Sequence, residues 1–379
     1  MSSQTEVRVM FCCTGVGIYN RGIESFFRDA FDGLSNTPGM RFRLIKGRGE
    51  RKDQEVPVPC LPRTGSIADL LGSAIRRNAY VVEQLSSFPA VVHQIRAFRP
   101  HVIFYSDSNL GFQLFRWRSK IGVPFTLLFS NGGPCSAPFV RTDLVHQVAP
   151  YYQKQAMEAG EPAEKHFMVP YGINLCNAPI RDDPIRKDIR RRLSLPLNRP
   201  IVLSVGWIGR THKRMHYVIE ELARLPNPRP FLAMVGAIDR SSQEIVNLAR
   251  DLLGNNGFLA KSVPYEQVFD YYRAANVFVL ASLREGFGRV YLEALMHGLP
   301  VIAHRHPVME YVLGEVGLLG DLTRVGELSA LLRTALEKPE QSEEKMWRWA
   351  SIRDRFSWTV LQDQYAAMFA AAAGHSITE

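Results

Sequence analysis

Short, almost wholly apolar runs alternating with helix-patterned segments are what most constrain this chain. Asn276–Leu280 reads as a strand of Val, Phe, Val and Leu after its leading asparagine, Phe231–Val235 is wholly apolar, and Val7–Thr14 and Ile201–Val205 are apolar apart from Arg8, Thr14 and Ser204. A strand without polar alternation needs cover on both faces, the condition of a parallel sheet between helix layers. The chain is therefore expected to be α/β, with two doubly wound, Rossmann-like domains facing across a cleft.

The pattern runs through two cycles. In the first, a glycine turn at Gly15–Gly17 follows the opening strand, and Gly22–Leu34 carries apolar residues at helical spacing. Strands are expected at Arg41–Lys46, Val56–Leu61, His101–Tyr105, Pro124–Ser130, Leu144–Val148 and Phe167–Pro170, with helices at Leu110–Ile121 and Tyr151–Ala159. One long helix is expected over Ile67–Phe98. A loose stretch rich in Pro, Arg and Asp, Asn177–Arg199, precedes the second cycle. There, strands at Gly257–Lys261 and Pro300–Ala303 join the three above, and helices are expected at Arg214–Leu225, Ile245–Leu253, Tyr265–Ala274, Gly288–His297 and Leu328–Leu336. A chain of 379 residues suits two domains. They are expected at 1–172, joined by a C-terminal helix at 357–373, and at 178–355.

Composition narrows the class. No apolar run reaches the length of a membrane span, and the first residues lead at once into a strand rather than a signal peptide. The expected location is the cytoplasm, at most peripheral at the inner membrane face. The five cysteines (Cys12, Cys13, Cys60, Cys135, Cys176) form no Cys-x-x-Cys pair, so buried free thiols are expected rather than disulfides or structural zinc. The formal charge is +9, but the basic residues are dispersed, with no aromatic-interleaved module, so no nucleic-acid partner is expected. An anionic lipid surface is a better partner for three first-half clusters: Lys46, Arg48, Arg51 and Lys52; Arg76 and Arg77; and Arg116, Arg118 and Lys120.

The chemistry concentrates in Glu285-Gly-Phe-Gly-Arg-Val-Tyr-Leu-Glu293. This is a glycine loop between a buried strand and a helix, so the amides of Phe287, Gly288 and Arg289 lie where an anion is held at a helix N-terminus. Glu285 precedes that anion site, and Glu293 lies about 7 Å further along at 1.5 Å per residue. Two carboxylates flanking one anion site suit a nucleoside diphosphate sugar, whose hydroxyl-bearing rings stand at either end of two phosphates. Solvated surface acids would be the plainer reading of two glutamates at this spacing alone. The glycine loop, the flanking strands and the following His-Gly-Leu-Pro-Val-Ile argue against it.

The segment resembles the Glu-x7-Glu signature of glycosyltransferase family 4, retaining enzymes of GT-B fold. The resemblance implies that Glu285 meets the donor sugar, that the amides near Phe287 and Gly288 meet the phosphates, and that Glu293 binds the ribose; Arg289 and Val290 join the donor-binding set, Arg289 either touching phosphate or pairing with a neighbouring acid. Gly15 and Gly17 resemble the family's first glycine loop, Val169–Asn174 its hinge segment, and Gly206 with Lys213 its phosphate-gripping loop. Pro307–Glu310 and Gly317–Asp321 also match. Trp207 stands where the family carries an arginine, and Arg210 is the favoured replacement, with Arg214 the alternative. Asn131 stands where the family often carries a histidine. The implied catalytic set is Glu285, Lys213 and Arg210. The implied activity is retaining transfer from a nucleoside-diphosphate sugar to a glycan acceptor, lipid-linked or anionic acceptors among the candidates, with no cofactor and no obligatory metal. Two rival readings stay open: a catalytically silent nucleotide-sugar-binding protein and a GT-B sugar-nucleotide epimerase.

Overall fold

The computed structural model describes residues 6–133, 135–176, 178–179, 183–337 and 341–375. Its contacts divide the chain into two units, Met1–Asn174 with Phe356–Glu379, and Leu175–Arg355.

The first unit holds β1 (Val7–Cys13), α1 (Gly22–Leu34), β2 (Met40–Lys46), β3 (Glu55–Pro57), α2 (Ser66–Ala74), α3 (Ala79–Ser86), α4 (Phe88–Phe98), β4 (Val102–Tyr105), α5 (Ser108–Ile121), β5 (Thr126–Ser130), β6 (Leu144–Gln147), α6 (Pro150–Glu158) and β7 (His166–Met168). The strands form a parallel sheet in the order β3-β2-β1-β4-β5-β6-β7. The order reverses between β1 and β4, which leaves a crevice at their carboxyl ends, where open α/β sheets bind ligands. Phe11 on β1 centres an aromatic core with edge contacts to Phe27, Phe31, Phe42 and Phe104.

The second unit holds α7 (Asp183–Arg192), β8 (Ile201–Val205), α8 (Met215–Ala223), β9 (Phe231–Val235), α9 (Ser242–Leu253), β10 (Phe258–Lys261), α10 (Tyr265–Ala274), β11 (Val277–Leu280), α11 (Arg289–Met296), β12 (Val301–His304), α12 (Pro307–Leu313), β13 (Gly317–Gly320), α13 (Glu327–Glu337) and α14 (Ser342–Phe356). Its parallel sheet runs β10-β9-β8-β11-β12-β13, with the reversal between β8 and β11. A last helix, α15 (Trp358–His375), packs on the first unit, with the Phe369 ring 5.8 Å from Phe11.

The apolar strands fall where their residues demand, buried on both faces of doubly wound sheets. Four expectations change. The single helix over Ile67–Phe98 is three, because Arg76 takes a left-handed backbone (φ 54°), Asn78 caps α3 by accepting from the Val81 amide at 3.1 Å, and Pro89 opens α4. The loose stretch 177–199 contains α7, which hides its order by burying little apolar surface. Its Arg190 instead ties the chain together, donating to the carbonyls of Ala274, Leu197 and Arg199 and to Asn276 Oδ1. Lys46 is buried against Glu55 at 2.5 Å and Arg118 is paired with Asp143, so neither is a free basic surface group. All five cysteines are free thiols, but only Cys12 and Cys13 are buried as expected; Cys60 and Cys176 are half-buried and Cys135 is exposed. Among the described residues, no helix is long and apolar enough to cross a membrane.

Candidate donor site

The second unit brings the motif residues together at its own sheet reversal. The loop after β8 carries Gly206 and Lys213, and the loop after β11 carries Glu285. Arg214, left-handed at the head of α8, donates to the carbonyls of Ala281 (3.3 Å) and Leu322 (2.8 Å), which fastens the start of α8 to the end of β11. Lys213 is thereby held beside the β11 loop, and its Nζ lies 2.5 Å from Glu285 Oε1. The Lys213 side chain runs past Gly206, where a Cβ would stand 3.2 Å from its Cε. His212 Nε2 is 3.8 Å from the same Glu285 oxygen.

Gly288 forms the head of α11. Its φ of 77° is left-handed, and a Cβ there would meet the Tyr291 ring at 2.5 Å. Tyr291 is fully buried and donates to the Leu280 carbonyl at 3.2 Å, which pins α11 to β11. The first turn of α11, Arg289 and Val290 with Phe287 before it, therefore opens directly after the Glu285 loop. The amides that lead a helix point along its axis and favour an anion there; in this turn the Tyr291 amide donates to the Gly288 carbonyl at 2.9 Å. Phe287 and Arg289 are buried.

Glu293, the fifth residue of α11, is buried between two tyrosines of α10. Tyr265 donates to Oε1 at 3.2 Å and Tyr272 to Oε2 at 2.9 Å. Burial, with the Glu293 carboxylate beside it, pushes the Tyr272 hydroxyl well above its usual range, so it stays protonated as a donor. His297 stacks on Tyr272 with ring centroids 5.4 Å apart, and burial lowers its pKa to about 4.

The other expected residues have partners of their own. Arg210 pairs with Glu244 of α9 at 3.0 Å, both side chains more than half exposed. Trp207 donates from Nε1 to Asp239 Oδ2 at 2.9 Å and packs over Gly209. In the first unit, the Gly15 carbonyl accepts from the amides of Ile18 and Tyr19, and Gly17 is left-handed (φ 81°) against the Arg48 carbonyl. Thr14 donates to Asp107 Oδ2 from its amide at 2.8 Å and from its hydroxyl at 2.9 Å, which fixes the glycine loop to the end of β4. Burial raises the Asp107 pKa to about 6. Asn131 is fully buried, donating to Gln147 Oε1 and the Cys135 carbonyl and accepting from the Cys135 amide, so it organises its own loop. His146, also fully buried, sits between Ser130 and the Val169 carbonyl.

Sequence reading overlooked Tyr265, Tyr272 and His212. The two tyrosines lie seven residues apart, two helical turns, and so share a face of α10. That spacing was the available signal.

Two doubly wound parallel sheets, the second with a charged pair and a helix N-terminus at its switch point, define the GT-B class of fold. Residues 185–350 match the family described as Glycosyl transferases group 1. A D-inositol 3-phosphate glycosyltransferase of Xylanimonas cellulosilytica is 29% identical over 150 residues, 38% of this chain and 36% of that protein. The lipopolysaccharide core biosynthesis glycosyltransferase LpsE of Rhizobium meliloti is 32% identical over 136 residues, 35% of this chain and 38% of that protein. The matched stretch thus spans little more than a third of the length of these relatives. Among solved structures, Anabaena Alr3699/HepE in complex with UDP-glucose superposes with a TM-score of 0.74 at 17% identity, over 96% of this chain and 99% of that one. The lipopolysaccharide outer core galactosyltransferase WaaB in its apo form gives 0.65 at 15%, over 96% and 99%.

Proposed function

We propose that the protein is a retaining glycosyltransferase of the family 4 type that moves a sugar from a nucleoside-diphosphate sugar to a glycan acceptor. The observation that carries this reading is the Lys213–Glu285 pair at the reversal of the second sheet, directly before the N-terminus of α11. In the proposed complex Glu285 accepts from donor-sugar hydroxyls, and Glu293, held by Tyr265 and Tyr272, accepts from the ribose. The diphosphate lies between them at the head of α11. Charge develops on that diphosphate as the glycosidic bond breaks, and Lys213 with the helix amides offsets it. These groups supply positive charge without an obligatory metal.

A lipid-linked or anionic acceptor is supported by relatives named for inositol 3-phosphate and for lipopolysaccharide core. A cytoplasmic protein, peripheral at the inner membrane face, fits that acceptor. A uridine donor is supported by the neighbour bound to UDP-glucose.

The test is a thermal-shift screen of UDP-, GDP-, ADP- and TDP-sugars, followed by turnover of the stabilising donor. Turnover that Glu285→Ala abolishes is expected. A wild-type protein that binds nucleotide but neither transfers nor hydrolyses sugar from any donor would establish the silent binder instead. Conversion of the sugar nucleotide alone to its epimer would establish the epimerase.

A further inference from the structure

Helix α2 is built inside out. Its small residues Ala68 and Gly72, four apart on one face, are buried; a Cβ at Gly72 would stand 2.7 Å from the Arg77 carbonyl, so the following turn folds back tightly there. Its large residues point the other way. Ile67 is 61% exposed, Leu70 72%, Leu71 43%, and Ile75, just past the helix, 54%. Their i, i+3, i+4, i+8 spacing puts them in one stripe. A helix that only covered the core would bury that stripe and show its small residues to water. Scattered exposed leucines need no explanation, but a continuous apolar ridge on one helix does.

The charges around the ridge indicate what covers it. Asp69 is the only ionised side chain in α2, and the chain turns at its end through Arg76 and Arg77, both exposed. Arg76 adopts a left-handed backbone at φ 54°. Apolar side chains bordered by exposed arginines match the acyl boundary and anionic headgroups of a bilayer surface.

We propose that α2 with Arg76 and Arg77 is a membrane-docking element, with Ile67, Leu70, Leu71 and Ile75 inserting at an anionic lipid interface. This selects, among the basic clusters seen in the sequence, the one that borders the apolar ridge, and it holds whether or not the donor reading is correct. The full chain is tested by co-sedimentation with phosphatidylcholine vesicles, with and without phosphatidylglycerol. The wild type is expected to sediment with the anionic vesicles, the double variant I67E/L70E at least tenfold less, and R76E/R77E to lose the preference for phosphatidylglycerol. All four positions are exposed, so unchanged thermal melting of the variants checks that the fold is intact. Equal sedimentation of wild type and I67E/L70E, or none by either, would overturn the proposal. So would concentration-dependent self-association that I67E/L70E abolishes in protein indifferent to vesicles, which would assign the ridge to a second copy of the chain. Donor turnover is read separately, so failure of the transferase reading leaves the vesicle result intact.

Discussion

Lys213 Nζ stands 2.5 Å from Glu285 Oε1, a largely buried pair joining the loops that follow β8 and β11. Each side chain offsets the other's charge, and each is assigned a different part of the proposed donor. Lys213→Ala is expected to lower kcat by about 10²–10³-fold, the cost typical of losing one group that stabilises developing negative charge. Glu285→Ala is expected to abolish measurable turnover. Steady-state kinetics on the donor found in the screen checks this, and equal kcat for Lys213→Ala and wild type would remove Lys213 from the leaving-group role.

Glu293 is oriented from behind by α10. Tyr272→Phe removes the 2.9 Å bond to Glu293 and a weaker 3.3 Å contact with the Val290 carbonyl while keeping the ring that stacks on His297. A net contribution of about 0.5–1.5 kcal/mol per such bond predicts donor affinity weakened by roughly 2- to 13-fold. Glu293→Ala should weaken it more, and kcat at saturating donor should change little in Tyr272→Phe. Calorimetric titration with the nucleotide measures the first effect. An affinity unchanged in both variants would take Glu293 out of the ribose site.

The strands and the motif were legible for physical reasons that did not extend to their partners. Val277–Leu280 and Ile201–Val205 are recognisable because a strand buried on both faces has no polar alternation. Glu285 and Glu293 are recognisable because local spacing places both beside one helix terminus. The breaks within 67–98 were harder, since apolar residues recur across both turns and only Asn78 and Pro89 mark them. Helix α7 was hidden because Arg190 anchors it through hydrogen bonds to carbonyls remote in sequence. The tyrosines behind Glu293 lie 21 and 28 residues away, and only the packing of α10 on α11 brings them there.

Gly288 joins backbone conformation to the site. At φ 77°, with the Tyr291 ring 2.5 Å from any Cβ, alanine meets both left-handed strain and a clash with a buried ring. Left-handed backbone costs a residue with a Cβ about 1–2 kcal/mol, so Gly288→Ala should lower stability by at least that amount. Gly39 is a control: it is also left-handed, at φ 74°, but nothing stands within 4 Å of its Cβ position. Gly39→Ala should therefore show the strain without the clash and leave donor affinity intact. Thermal melting with nucleotide titration separates the two, and a Gly288→Ala protein as stable as Gly39→Ala would show that the ring moves aside without cost.

Acid stability should be limited by buried histidines in both units. Burial lowers His146 and His297 to about 4 each. The unfolded chain has histidines near 6.5, so between pH 6.5 and 4 it binds more protons than the folded one. Stability then falls as pH drops through that window, by up to about 3 kcal/mol for each fully neutral buried ring. Asp107 acts oppositely: held near 6 by burial, it gains a proton in the folded state before the unfolded chain does, which offsets part of the loss in the first unit between pH 6 and 4. His146 Nε2 lies 2.7 Å from the Val169 carbonyl, so that nitrogen carries the proton and Nδ1 accepts from Ser130. His146→Gln should therefore be less stable than wild type at pH 7 but lose less on acidification to pH 5. Denaturant unfolding at the two pH values measures both changes, and parallel losses in wild type and variant would show that His146 is not a source of the acid sensitivity.

Arg210 and Lys213 lie three residues apart in one loop but should behave differently. Arg210 is paired with Glu244 at the surface, and exposed pairs of this kind contribute about 0–1 kcal/mol. Arg210→Ala is expected to leave thermal stability within a degree or two and to lower turnover far less than Lys213→Ala. The pair with Glu244 gives a further check. If Arg210 must leave Glu244 to reach a bound diphosphate, Glu244→Ala frees it and should tighten donor affinity, and Arg210→Ala should cancel that gain. A donor affinity untouched by Glu244→Ala, together with near-normal turnover in Arg210→Ala, would confine Arg210 to the surface pair and leave Lys213 as the cation of this loop that serves the donor.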